Sequence, residues 1–434
     1  MNSRLPKVLH PVAGRALLHH VLATAADLKP ARTAVVLGPD MDDVAAEVAA
    51  ASPGAVVAVQ ADRLGTGHAL GCAREALAGH GSDVLVLYGD VPLVRRVSLE
   101  ALVAARRSSG AAIAVLGFRP ADPTGYGRLV VDGDDRVARI VEQVAASPEE
   151  AEIGLCNSGI LAIDGAQLWS LLDQVQPDNA KGEYFLTDIV ALAVANGGRC
   201  VHSEVDDPSD VLGVNDRAQL ADIEAILQQR LRGAAMAAGV TMVDPTTVWM
   251  SWDTRLAMDV TIGPNVVFGP GVTVAEGADI RAFSHLEGVR VGAGAQIGPY
   301  ARLRPGSDIG DGARVGNFVE TKKAIIAAGA KVNHLSYIGD AEVGEKANIG
   351  AGTITCNYDG YAKSLTRIGA GAFIGSNSAL VAPVRIGDGA VVGAGSVITE
   401  DVSDDAIVTA RGTQQAREGA AARRRARIAN GKDD

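Results

Sequence analysis

Aromatic side chains are scarce in this chain. Phe, Tyr and Trp make up 4% of its 434 residues, against 47% for all hydrophobic types. Its cores must therefore be filled by Ile, Val, Leu and Ala. Cysteine is scarcer still: Cys72, Cys156, Cys200 and Cys356 are too widely spaced for a metal cluster or a disulfide framework, which points to a reducing cytoplasmic setting. No apolar run approaches the roughly 18 residues of a membrane span, and the N-terminal residues do not follow a signal-peptide pattern. There is no basic excess. A net charge of −11 argues against a general nucleic-acid binder, and the short basic run at residues 423–427 reads as a mobile, solvated terminus.

Glycine is plentiful, with 51 residues, and it concentrates in a repeat. Val291, Ile297, Leu303, Ile309 and Val315 fall six positions apart. So do Ile368, Ile374, Leu380, Ile386, Val392 and Ile398. Most are followed by Gly. A helix cannot produce single apolar positions at that interval, and a plain strand alternates every second residue. A hexapeptide repeat predicts a parallel β-helix, in which each hexad is one short strand and one turn and the aliphatic residue points inward. Stacked coils bury one continuous ladder. Residues 246–258 look irregular. The spacing also breaks near 321–330 and 357–366, where insertions would form loops, often on a binding face.

Residues 1–215 read differently. Short apolar runs at 33–37, 56–59, 84–88 and 112–116 alternate with helical patterns at 41–51, 68–77 and 98–107. That order predicts an α/β unit with a parallel, doubly wound sheet, whose ligands gather at the carboxyl ends of strands. Polar segments stand at such ends: residues 60–67, 88–93 and 122–128. Leu220, Ile223, Ile226, Leu227 and Leu231 have helical spacing, so residues 216–239 are expected to form one linking helix. The β-helix then covers 240–402 and a tail 403–434.

These polar segments, with a β-helix behind them, resemble the bacterial bifunctional family of N-acetylglucosamine-1-phosphate uridyltransferases / glucosamine-1-phosphate N-acetyltransferases. The likeness runs from Leu5-Pro6-Lys7-Val8-Leu9 to Arg411 and is most specific at Asn348-Ile349-Gly350-Ala351-Gly352-Thr353-Ile354-Thr355-Cys356-Asn357-Tyr358-Asp359-Gly360. It implies a Rossmann-like nucleotidyltransferase domain followed by a left-handed β-helix, a homotrimer, and use in cell-envelope precursors. It also implies sugar phosphates, UTP and acetyl-CoA as substrates, and Mg²⁺ as the metal.

For the nucleotide site the resemblance implies that Asp90 and Asn215 hold Mg²⁺, a cation that prefers oxygen ligands. Lys7 would meet the phosphates, Gln60, Gly65 and Thr66 the uracil, and Gly127, Glu142 and Asn157 the acetylated sugar. For acetyl transfer it implies His334 as the base, an imidazole being suited to proton transfer near neutral pH. Arg304 and Lys322 would take the sugar phosphate, Arg with bidentate geometry. Tyr337 and Asn348 would grip the sugar, and Glu320 is expected to orient His334. Acetyl-CoA would lie along Ala351, Asn357, Tyr358, Ser376 and Ala394, with Arg411 at a CoA phosphate.

One departure bears on the first reaction. The family opens with a strand and a Gly-rich loop ending Gly-Thr-Arg-Met that wraps the UTP phosphates, and Met1 coincides with the last residue of that loop. Without that strand, five or six buried side chains at about 1.5–3 kcal/mol each would be missing, comparable to a domain's net stability. The sheet would be left with open strand edges facing an apolar slot. The expectation is a misplaced start codon or a truncated sequence; the alternative is a chain that keeps only the acetyl transfer. Two further readings are a pyrophosphorylase with a non-catalytic β-helix and a non-enzymatic scaffold.

Overall fold

The computed structural model describes residues 1–79, 81–179 and 182–429. The chain divides into two compact units, Met1–Arg230 and Leu231–Asp434.

In the first unit, the runs predicted as strands form β1 (Ala34–Leu37), β2 (Val56–Val59), β3 (Asp83–Val86) and β4 (Ile113–Phe118). They are followed by β5 (Arg128–Val131), β6 (Val137–Val141), β7 (Cys156–Asp164) and β8 (Cys200–Glu204). Every residue of β4 is buried, because it lies between β8 and β7 and is covered on both faces. The helix before it, Arg96–Ser109, stops at Gly110, whose φ of 63° only glycine adopts freely. The helix expected over 68–77 is shorter, Thr66–Cys72.

The sheet is mixed rather than purely parallel. β8 runs parallel to β4, but β7 runs antiparallel to both β4 and β3. The β5–β6 hairpin turns the chain back before β7, and apolar runs carry no record of strand direction. β1 pairs in parallel with β2 and, among the described residues, with no other strand. A cavity of about 1120 Å³ is lined on one side by residues 33–38 and on the other by 82–89, with Val8, Leu18 and Leu22 at its walls. The apolar slot anticipated from the sequence is therefore present, with one open edge of β1 and one of β3 toward it.

The predicted linking helix is Arg217–Ala237. Beyond it the hexads build coils of parallel strands. Ile262, Ile280, Ile297, Val315, Val332, Ile349, Ile374 and Val392 stand in register, one above another. All are buried, and Phe268 is the one aromatic side chain in the buried cluster they belong to. The narrow interior thus accounts for the aromatic-poor composition.

Two expectations need correction. Residues 246–258 are regular, because Trp249–Met250 and Arg255–Leu256 pair in parallel with the next coil. Residues 321–330 are no loop either. Glu320–Ile326 is one continuous strand that pairs with both Arg302–Leu303 and Ser307–Ile309, so the broken spacing marks a tightened corner in which Lys323 takes a φ of 45°. Only 357–366 is a true excursion, tied by a Tyr358–Lys363 bridge and by Asp359 Oδ1 accepting from Tyr361 and Ala362 N–H groups. The basic terminus carries an exposed helix, Ala420–Ala429.

Candidate active sites

In the first unit the chain after β3 and the chain before the long helix meet at one cation. Lys7 Nζ lies 2.5 Å from Asp90 Oδ2 and 3.2 Å from Asn215 Oδ1. The Asp90 carbonyl also accepts from Val214 N–H, which fixes the two segments together. A carboxylate and an amide oxygen converging on one positive charge form a donor set that suits a hard divalent ion. The residues present therefore fit the metal expected from the sequence, with the Lys7 ammonium now between the two oxygens.

Gly65, Thr66 and Gln60 also come together. Gly65 has a φ of 111°, and a Cβ there would meet the Tyr184 carbonyl oxygen at 2.6 Å. The Gln60 amide donates to the Gly65 carbonyl at 3.0 Å. Thr66 Oγ1 accepts from Leu186 N–H at 3.0 Å, so this loop is clamped against residues 184–186. That segment was not singled out from sequence; its Tyr184-Phe185-Leu186 run looks like any apolar stretch.

The third group holds Gly127, Glu142 and Asn157. Asn157 N–H donates to the Gly127 carbonyl. A Cβ on Gly127 would approach Glu142 Oε2 at 3.6 Å. Glu142 accepts a hydrogen bond from the Thr187 hydroxyl at 3.3 Å. Burial, then Glu142, raises the Asp188 carboxyl above its ordinary range. Tyr88 faces Gly159, where a Cβ would meet the ring at 2.8 Å. Burial first, then the charges of Asp90 and Glu142, push the Tyr88 phenol up to about 12. Thr187 and Asp188 are additions that no motif announced.

In the β-helix, His334 ends one strand and its Nδ1 lies 2.8 Å from Asn317 Oδ1 on the coil below. An amide oxygen there fixes the proton on Nδ1 and leaves the Nε2 lone pair free for a proton. Glu320 does not orient His334. It accepts from Arg304 Nη1 at 2.8 Å, the two side chains standing on the same face. Asn317 was missed because its role depends on register between coils, which spacing does not reveal.

Arg304 and Lys322 share a column, as the pairing of Leu303 with Thr321 requires, and Gly339 continues it. The Tyr337 ring lies over Gly339, where a Cβ would meet its Cζ at 2.6 Å. Lys363, from the 357–366 excursion, sits beside Lys322 and by hydrogen bonding and repulsion lowers the Lys322 pKa, with Arg304 contributing. Three cations that repel one another in this way suit a dianionic group. Lys363 is a further residue missed from sequence, since an excursion's reach is invisible there. Asn348 is not on this face; it stands beside Lys331, around the corner.

The residues expected to line acetyl-CoA form a rising edge. The Ala351 carbonyl accepts from Asn377 N–H at 2.7 Å, and that of Ser376 from Gly395 N–H at 2.8 Å. The Ala394 carbonyl accepts from Arg411 Nη1 at 2.8 Å. Asn357 is buried and donates to Asp340, while the Tyr358 hydroxyl donates to the Gly360 carbonyl at 2.6 Å. Ala351, Ser376 and Ala394 thus belong to successive coils, with Arg411 at the upper end.

Residues 1–150 match the MobA-like NTP transferase domain, and residues 288–323 and 365–400 match the bacterial transferase hexapeptide (six repeats). The chain is 58% identical over 430 residues to the bifunctional protein GlmU of Paramagnetospirillum magneticum, covering 99% of this chain and 94% of that one. It is 59% identical to the GlmU protein of Azorhizobium caulinodans over 98% of this chain and 94% of the relative. The corresponding protein of Jannaschia sp. is 52% identical over 100% and 94%.

Proposed function

This chain belongs to the family of bifunctional GlmU proteins, and from that membership we propose a role for each of its sites. It is a bifunctional transferase of UDP-N-acetylglucosamine synthesis. One reaction moves an acetyl group from acetyl-CoA to glucosamine-1-phosphate. The other moves a uridylyl group from UTP to N-acetylglucosamine-1-phosphate and releases pyrophosphate.

In the acetyl transfer, Arg304, Lys322 and Lys363 hold the sugar phosphate, Tyr337 holds the sugar from the same face, and Asn348 meets it from the neighbouring face that carries His334. His334 Nε2 takes a proton from the sugar ammonium. The freed amine nitrogen attacks the thioester carbonyl, a C–N bond forms and the C–S bond breaks. The imidazolium then returns its proton to the departing thiolate, and the second proton that the nitrogen loses on becoming an amide passes to solvent. The observation that carries this assignment is the Asn317–His334 hydrogen bond, which leaves Nε2 as the acceptor. Ala351, Asn357, Tyr358, Ser376, Ala394 and Arg411 line the path of the CoA arm.

In the uridylyl transfer, Asp90 and Asn215 are the oxygen ligands for Mg²⁺, which when bound neutralises charge on the triphosphate. Lys7 moves from between them to the phosphates. Gln60, Gly65 and Thr66 read the base, and Gly127, Glu142 and Asn157 the acetylated sugar. The working assembly is a homotrimer acting in the cytoplasm; no described helix is long and apolar enough to cross a membrane.

Both reactions are assayed on the purified chain, with His334→Ala beside it. Acetylation is expected to fall by about 10²–10⁴-fold in the variant with uridylyl transfer unchanged. Undiminished acetylation would remove His334 from the role of base. Loss of uridylyl transfer in the same variant would point to a folding defect instead.

A further inference from the structure

The strands that carry Lys322 and Gly339 in register turn a tight corner, where Lys323 and, one coil above it, Asp340 take φ of 45° and 43°. Two coils below Asp340 the same corner is built by Gly306, with φ of 82° and Lys323 stacked on it. This conformation is easiest for Gly, Asn and Asp. On the coil above Asp340 the chain does not turn at once. Asn357 is followed by the 357–366 excursion, and the ladder resumes where Thr366 pairs with Ala341.

The outer part of the excursion, residues 358–363, is exposed. Its backbone bonds are local: Ser364 N–H donates to the Asn357 carbonyl at 2.9 Å, and Asp359 N–H to the Ala362 carbonyl at 3.3 Å. Its root is different. Asn357 is 7% exposed, and its Nδ2 donates to Asp340 Oδ2 on the coil below. A carboxylate only accepts, so this contact orients the amide: Nδ2 faces Asp340, and Oδ1 is left as an acceptor. The charge of Asp340 also reaches the cation group, where it opposes the lowering of the Lys322 pKa by Lys363 first and then Arg304.

Resting on the acetyl-transfer reading above, we infer that Asp340 is a positioning residue for both substrates of that reaction. It acts through Asn357. By holding the root of the excursion it sets where Lys363 stands among the phosphate-binding cations and where Tyr358 stands on the acetyl-CoA path. The oriented Asn357 Oδ1 also suits an amide N–H, the donor that recurs along the pantetheine arm of CoA. A corner with no such task would do better with glycine, as at Gly306. A carboxylate beside three cations that await a dianion competes with the phosphate for them, so charge balance alone does not account for it. The acid stands on the coil directly beneath the excursion's root, where its hydrogen bond is used.

The test compares two replacements that this corner tolerates. Asp340→Gly supplies the residue found at Gly306 and removes the acceptor; Asp340→Asn keeps an acceptor oxygen for Asn357 and removes the charge. In steady-state acetylation by the full chain, Asp340→Gly is expected to raise KM for acetyl-CoA and for glucosamine-1-phosphate by about tenfold each, as one charge-assisted hydrogen bond is lost. Its kcat is expected to stay within about threefold, because His334 and Asn317 lie on another face. Asp340→Asn is expected to return the acetyl-CoA KM to within about twofold of the parent. Amides of residues 358–364 in the substrate-free chain are expected to exchange with deuterium about tenfold faster in Asp340→Gly and at the parental rate in Asp340→Asn. Parental KM values and exchange in Asp340→Gly would overturn the inference and leave the acetyl-transfer reading standing. A fall in kcat with KM unchanged, in both variants alike, would overturn it too. A parent chain that does not acetylate glucosamine-1-phosphate would remove both readings.

Discussion

In the β-helix one buried apolar cluster runs from Val240 to Val402, whereas the buried apolar residues of the first unit fall into four separate clusters. Two of those clusters stand on opposite sides of the cavity: Leu18, Leu22 and Leu37 on one, and Leu85, Leu87 and Tyr88 beside the other. The difference follows from how each fold closes. Every coil of a solenoid is completed by its immediate neighbours in sequence, so each rung finds its contacts locally. A central sheet is completed by strands from distant parts of the chain, and one unfilled position divides its core.

The largest effect that would break this comparison is a matched pair of truncations. Ile297→Ala in the ladder removes a fully buried side chain with no room to relax and is expected to cost about 2–5 kcal/mol. Val35→Ala on the cavity wall is expected to cost less than about 1.5 kcal/mol, because part of that side chain already lacks neighbours. Urea denaturation followed by circular dichroism measures both; equal losses would mean that the cavity is closed in solution.

A smaller effect sharpens the account of the β-helix site. In Asn317→Asp a carboxylate replaces the amide beside His334 and favours the imidazolium. The folded-state pKa of the imidazole rises, so its free-base form is reached only at higher pH. The acidic limb of kcat/KM for acetylation is expected to move up by about one unit, roughly a tenfold loss at the low-pH end, with recovery on the alkaline side. A profile that stays in place would separate Asn317 from the base.

The smallest effect concerns the charged ladder on the surface. Arg290 and Asp308 are 65% and 37% exposed, and such pairs contribute less than about 0.5 kcal/mol. Arg290→Ala is expected to leave the denaturation midpoint almost unmoved. A loss as large as that of a core truncation would mean that outer columns, and not the ladder, hold the coils.

Much of the fold was legible because its signals are local. The six-residue spacing of Ile297, Leu303, Ile309 and Val315 specifies a β-helix without reference to any partner, and the run at Ile113–Phe118 specifies a buried strand. The cluster of Lys7, Asp90 and Asn215 was named in advance through family likeness, and the side chains do converge. What escaped was non-local. The reversal of β7, the partner of His334, and the arrival of Lys363 and Thr187 each depend on which coils or strands lie side by side.

By itself, the sequence determined the architecture of the second half and the composition of its core. Repeat period and residue chemistry are carried by the chain in order. Only the tertiary structure decided that Asn317 bonds His334 while Glu320 pairs with Arg304, that residues 320–326 form a strand rather than a loop, and that Phe283, Tyr300 and Phe318 stack along one corner. Those outcomes are matters of register. Residues far apart in sequence become neighbours only when coils stack, and a shift of one position would give each of them a different partner.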